Sequence, residues 1–221
     1  MTSAEHSAES AARRDAMVRS QIEGRGVSDA RVLAAMRAVP RERFVPAHLA
    51  GAAYDDRALP IGSDQTISQP YMVAVMTEAL GLTPGSRVLE VGTGSGYQAA
   101  VLSHLAGEVI TIERRPELAT EASARLASLG CANVRVIIGD GTQGHPEGAP
   151  YDAVLVTAGA PQVPQPLTDQ LADGGRLVIP VGSPREQGLV IIERRDTELV
   201  QRSGEACVFV PLVGRFGWDA R

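Results

Sequence analysis

The stretch Val88-Leu89-Glu90-Val91-Gly92-Thr93-Gly94-Ser95-Gly96-Tyr97 decides the fold. A short β-branched run passes into three alternating glycines and then, from Tyr97 to Leu105, into helical spacing. Only glycine lets a backbone approach a ligand this closely. In open parallel sheets the ligand crevice lies beyond the carboxyl ends of the strands, so the motif and the architecture point to one place.

Downstream the pattern repeats. Val109 to Ile112, Val134 to Ile138, Ala153 to Val156 and Leu177 to Pro180 read as strands. Helices fall between them, near Pro116 to Leu129 with Leu118, Ala122, Leu126 and Leu129 on one face, and near Pro166 to Leu171. Nearly unbroken apolar strands alternating with helices make an α/β fold in three layers, a mostly parallel sheet covered on both faces. Beyond Pro180 only strands remain, Leu189 to Glu193, Glu198 to Arg202 and Cys207 to Leu212, which read as an antiparallel C-terminal edge.

Upstream, residues 1–13 carry Ser, Ala and Glu without apolar periodicity and read as a disordered tail. One helix is expected from Asp15 to about Gly24, and a second, capped by Ser28 or Asp29, ends at Pro40. Phe44 to Ile61 has no clean period, and a third helix starts near Pro70. The expectation is one domain over residues 14–221. Residues 14–80 form its N-terminal helical segment, 85–182 its ligand-binding βα units and 183–221 its C-terminal strands.

Composition narrows the possibilities. The chain has 221 residues, a net charge of -5 and no block of like charges, which gives no electrostatic reason to expect nucleic acid or anionic lipid as a partner. Its two cysteines, Cys131 and Cys207, are too few and too distant for a disulfide framework or a metal cluster; they read as small core residues of a cytoplasmic protein. No stretch approaches the roughly 20 apolar residues of a membrane span, and the N-terminal stretch lacks the apolar region of a secretory signal.

The spacing of the glycines selects the ligand. A dinucleotide fingerprint carries its third glycine one position later, leaving helix-terminal amides to hold pyrophosphate. The G-x-G-x-G spacing here is preceded by Glu90, a carboxylate that repels phosphate and suits an ammonium group. Glu113 ends the next strand roughly 20 residues after Gly92, the interval at which an acid reaches a ribose diol. Asp140, in Ile138-Gly139-Asp140-Gly141, is placed to accept from an adenine amino group. A ribose, an adenine, an ammonium, a sulfonium and no phosphate describe S-adenosylmethionine. Methyl transfer from it is an in-line displacement that positioning can largely catalyse. The four histidines are scattered and only His145 is expected near the cleft. A carboxylate acceptor, with a pKa of about 4, would need no base.

The block Gln65-Thr66-Ile67-Ser68-Gln69-Pro70-Tyr71-Met72 resembles the protein-L-isoaspartate O-methyltransferase family. Arg41 to Pro46, Val88 to Tyr97, Gly139 to Gly141, Tyr151 to Ala158, Leu171 to Leu177 and Phe209 to Leu212 agree with it in order. The resemblance implies a Rossmann-like class I methyltransferase sheet of seven strands with a reversed last strand, and a monomer. It implies methylation of the α-carboxylate of L-isoaspartyl residues in damaged proteins, an ester that a neighbouring backbone amide displaces to a succinimide. It makes Ser68 the serine that orients the substrate carboxylate, with Ile67, Gln69, Pro70 and Met72 lining the cofactor side. Gly92, Thr93, Gly94, Ser95 and Gly96 would hold the methionine end, Glu113 and Arg114 the ribose, Asp140 and Gly141 the adenine, and Val210 to Val213 would border the peptide cleft. Read alone, Ser68 is first a helix cap, and Met72 with Met76 a pair of core fillers. Ser63-Asp64 depart from the family's aromatic residue and glycine and make the lip more polar and acidic. The rival readings are a methyltransferase acting on another acceptor, a nicotinamide oxidoreductase and a non-catalytic binding module.

Overall fold

The computed structural model describes residues 3–219, with side chains from residue 8 onward. Helix α1 (Ser3–Met17) runs into a π turn (Val18–Ile22) and a 3-10 turn that stops at Gly26. The expected tail is therefore helical from Ser3; Met1 and Thr2 lie outside the described residues. Ala, Glu and Arg are strong helix formers, so propensity carries this segment where apolar periodicity is absent. Helix α2 (Ala30–Ala38) begins at Asp29, whose side chain accepts from the Arg31 N–H. Two 3-10 turns follow, and then a hairpin of β1 (Leu59–Gly62) and β2 (Gln65–Ile67), which the sequence does not announce. Helix α3 (Pro70–Leu80) starts on its proline and ends at Gly81.

The βα units follow as β3 (Arg87–Val91), α4 (Tyr97–Ser103), β4 (Glu108–Glu113), α5 (Pro116–Ser128), β5 (Val134–Ile138), β6 (Tyr151–Val156), α6 (Gln165–Asp169) and β7 (Leu171–Ser183). Strands β8 (Glu186–Arg195) and β9 (Glu198–Cys207) complete a seven-stranded sheet of order β5-β4-β3-β6-β7-β8-β9. Strands β3 to β7 are parallel, and β8 is antiparallel to both β7 and β9. The reversed strand is thus β8, and the last strand, β9, returns to the common direction. Cys207 ends β9, and Val208 to Leu212 form no strand; apart from a bridge between Gly159 and Pro211 they wrap the end of the sheet.

Successive strand residues point to opposite faces. Val88, Val109, Leu155 and Val178 join one buried cluster with α2, α3 and α4, while Leu89, Val91, Ile110, Val154 and Ile179 join a second with Leu167 of α6. Each such side chain contributes about 1.5–3 kcal/mol on burial, so a one-residue slip of β3 would be costly on both faces. From β3 the chain steps outward to β4 and β5 and then crosses back to β6 on the other side of β3, so the strand order reverses between β3 and β6 and a crevice opens there. Cys131 and Cys207 are free thiols, each half-buried at the periphery of the core. Among the described residues no helix is long and apolar enough to cross a membrane.

Candidate active site

A cavity of about 850 Å³ opens over the carboxyl ends of β3, β4 and β6. One wall is the loop from Gly92 to Gly96. Gly92 has φ +99°, and a Cβ there would collide with the Thr157 hydroxyl, so any other residue is strained and must displace Thr157 or the loop. Thr157 in turn donates to the carbonyls of Gly92 (2.6 Å) and Val91 (3.1 Å). The Gly92 N–H donates to Ile112 O at 2.9 Å, and the Gly94 N–H to Glu113 Oε2 at 2.9 Å. Glu113 Oε1 takes the Arg115 N–H at 3.0 Å, so this carboxylate ties the ends of β3 and β4 together while facing the cavity. From behind, Arg125 Nη1 donates to Ser95 O at 2.6 Å.

The opposite wall comes from the β1–β2 hairpin, the residues after it and the C-terminal segment. Ser68 lines the cavity, and among the described residues its hydroxyl has no partner. The residue capping α3 is Gln69, without a side-chain bond, so the capping role for Ser68 does not hold. Val210 to Val213 line the same wall; the Gly159 N–H donates to Val210 O and the Leu212 N–H to Gly159 O, both at 2.8 Å. Trp218 closes the wall by donating from Nε1 to Gly159 O at 3.0 Å. At the hairpin tip Ser63 and Asp64 both adopt positive φ, and Ser63 Oγ meets Glu117 Oε1 at 3.3 Å. With Asp64, Glu113, Glu117 and Asp219 all lining the cavity against Arg114 and Arg115, its mouth is acidic, a poor setting for pyrophosphate.

Of the residues expected at the site, Ile67, Ser68, Gly92, Thr93, Gly94, Ser95, Glu113, Arg114 and Gly141 line the cavity. The others are elsewhere. Gln69 donates to Asp56 Oδ1 at 2.8 Å, and Pro70 and Met72 are buried in the core as the first turn of α3. Gly96 caps α4 with φ +89° and packs on Ala122 and Leu126. Asp140 is not among the residues that line the cavity; its Oδ1 accepts from the Thr142 N–H (3.0 Å) and hydroxyl (2.7 Å), and its Oδ2 from the Arg215 N–H (2.8 Å). It fastens the C-terminal segment to the turn after β5. His145 pairs with Glu147 and Arg135 away from the cleft.

Glu90 sits one layer below the loop, fully buried, with neither carboxylate oxygen bonded. Burial pushes its carboxyl up to about 8; the neighbouring Thr111 hydroxyl opposes the shift and the charge of Glu113 adds to it. A buried, unpartnered carboxylate beneath a ligand loop fits a cationic ligand, as the ammonium and sulfonium of S-adenosylmethionine require. Sequence reading missed Gln98, Thr157 and Trp218, which also line the cavity. Thr157 was within reach of it as the residue that follows β6 at the crevice.

The family model described as "Protein-L-isoaspartate(D-aspartate) O-methyltransferase (PCMT)" matches residues 12–217. The chain belongs to this family. A relative from Methanoregula boonei, named protein-L-isoaspartate O-methyltransferase, is 56% identical over 203 residues, covering 92% of this chain and 94% of its own. One from Rhodopseudomonas palustris, named protein-L-isoaspartate O-methyltransferase 1, is 58% identical, covering 94% of this chain and 86% of its own. A solved protein-L-isoaspartate O-methyltransferase superposes with a TM-score of 0.83 at 33% identity, covering 92% of this chain and 67% of the other. A family structure from Plasmodium falciparum, solved in complex with S-adenosyl-L-homocysteine, gives 0.78 at 26% identity, covering 89% and 96%.

Proposed function

We propose that this protein transfers a methyl group from S-adenosylmethionine to the free α-carboxylate of L-isoaspartyl residues in damaged proteins. The observation that carries the reading is the Ser68 hydroxyl, unpartnered and facing the cavity across from the glycine loop, in a wall that holds no histidine. S-adenosylmethionine, when bound, supplies the electrophilic methyl carbon. Its sulfur would be the leaving group toward a carboxylate oxygen that is already ionised, so no residue of the site has a proton to remove. What the residues must do is orient and desolvate. Ser68 donates to the acceptor carboxylate and fixes the attacking oxygen. The strip from Val210 to Val213, held in place by the bonds of Gly159 to Val210 and Leu212, forms the wall along which an extended peptide lies. The neighbouring amide nitrogen then attacks the ester carbonyl, methanol leaves with the amide proton to give a succinimide, and hydrolysis of that ring returns some normal aspartate.

Ile67, Gly92 to Ser95, Glu113, Arg114 and Gly141 make up the cofactor side in this reading, with Glu90 acting from below. Residues 14–80 of the single domain, together with the C-terminal part of 183–221, supply most of the acceptor wall, and 85–182 supply most of the cofactor wall. The net charge of -5 and the acidic cavity mouth support a partner that is not nucleic acid or an anionic membrane. The free thiols support a cytoplasmic setting, and a monomer follows from the family resemblance.

Incubation with methyl-labelled cofactor and two peptides that differ only in aspartyl or isoaspartyl linkage tests the proposal. Base-labile label on the isoaspartyl peptide alone is the expected result. Equal labelling of both peptides, or a base-stable label, contradicts it.

A further inference from the structure

Gln98 carries a polar side chain that the mechanism above does not use. It is the second residue of α4, only 7% exposed, and it lines the cavity. Its Nε2 donates to Thr77 Oγ1 at 2.9 Å, and the Thr77 hydroxyl donates onward to Val73 O at 2.7 Å. The direction of this relay is set at its far end. A main-chain carbonyl only accepts, so the Thr77 proton points to Val73 and its lone pair to the amide. The glutamine must offer Thr77 its NH2 group, which leaves Oε1 turned the other way. Among the described residues no donor meets Oε1, and it is not sealed in the core. It is an acceptor of fixed orientation on the cavity wall.

The order of the strands indicates what reaches it. Glu113 ends β4 and Gly141 follows β5, on one side of the point where the strand order reverses; Thr157 follows β6 on the other side, and Gln98 is tied toward it through Thr77 of α3, which packs on β6. A nucleoside cofactor whose diol is at Glu113 therefore extends its amino-acid end toward Gln98. There the hydroxyl of Thr157 already donates to two carbonyls, and the carboxylate of Glu90 is buried under the loop. An ammonium group arriving at this end has three N–H donors to satisfy and finds in Gln98 Oε1 a neutral acceptor, which adds no further negative charge beside Glu90 and Glu113.

We propose that Gln98 is a cofactor-binding residue whose side-chain carbonyl, aimed by Thr77, accepts from the α-ammonium group of the bound cofactor. The proposal rests on the cavity being the S-adenosylmethionine site. Thr77 is a positioning residue, acting through the amide and linking α3, which follows Ser68, to α4, which follows the glycine loop.

Calorimetric titration with two ligands tests it: S-adenosylhomocysteine, which has the ammonium, and 5′-methylthioadenosine, which lacks the whole amino-acid end. Gln98→Leu is expected to weaken the first by about tenfold or more and to leave the second within about twofold of the parent protein. Thr77→Val, which frees the amide to turn, should show the same selectivity at about threefold. Equal loss for both ligands, or no loss for either, overturns the proposal. If Gln98→Leu does not fold, Thr77→Val is read by the same criterion. A parent protein that binds neither ligand refutes the cofactor site itself, a result distinct from an unselective variant.

Discussion

The two walls of the cavity are built on different principles. On the glycine-loop side, strand ends hold the backbone, and the amides of Gly92 and Gly94 are both engaged, by Ile112 O and Glu113. On the Ser68 side a hairpin tip, a short connection and a C-terminal segment supply the surface, and the hydroxyl of greatest interest has no partner. The first wall is held by those bonds in one arrangement, which suits a ligand that is the same in every turnover. The second must admit a segment of a damaged protein, whose flanking residues differ each time. Positioning of one constant and one variable partner, with no base between them, suffices when the acceptor is already ionised.

Damage to the rigid wall should be the more severe. Gly92→Ala places a Cβ against Thr157 Oγ1 at a positive φ, and S-adenosylhomocysteine binding should fall by more than about 100-fold, measured by titration. Retained affinity would mean that this wall yields more than its bonding implies. Damage to the other wall should separate catalysis from cofactor binding. Ser68→Ala is expected to lower kcat/KM for an isoaspartyl peptide by roughly 10- to 100-fold while the cofactor Kd stays within about threefold. A loss of thermal stability with unchanged kinetics would instead make Ser68 structural.

A smaller effect lies beneath the first wall. Glu90 is raised from 4.5 to about 8, so the folded protein without ligand binds a proton more tightly than the unfolded chain does. The sign follows: stability is greatest at the acid side of that window and declines as pH rises from 4.5 toward 8, by at most about 1.4 kcal/mol per pH unit. A bound cation favours the ionised carboxylate, so melting of the S-adenosylhomocysteine complex should fall less steeply over the same range. Glu90→Gln should flatten the unliganded profile. A profile already flat in the parent protein would place a partner on this carboxylate.

The rigid wall was also the legible one. Val88 to Val91 with Gly92 to Gly96 specifies a strand, a turn and a ligand by β-branching and glycine spacing alone, and Glu113 follows from its interval. Sequence cannot tell on which side of a turn a carboxylate ends. Asp140 has the spacing of an adenine contact, yet the amides of Thr142 and Arg215 claim it, and Glu90 is covered by its own loop. The β1–β2 hairpin was unreadable because Ser63 and Asp64 take the positive φ that glycine would have announced. The segment Cys207 to Leu212 is apolar enough for a strand, but β9 is the exposed, polar stretch before it, which pairs with β8 as an edge and needs no buried face. The apolar residues wrap the sheet's end because the cavity wall requires them there.

The fastening at Asp140 links the two walls mechanically. Although partial burial opposes its ionisation, the Arg215 N–H and the Thr142 donors hold its carboxyl below the usual range, so the joint persists until strongly acid conditions. One oxygen grips the turn beside Gly141 and the other grips the strip that carries Trp218. The turn that borders the ligand's side and the strip that borders the acceptor's side are therefore moored to a single carboxylate, so that Asp140→Ala releases both at once.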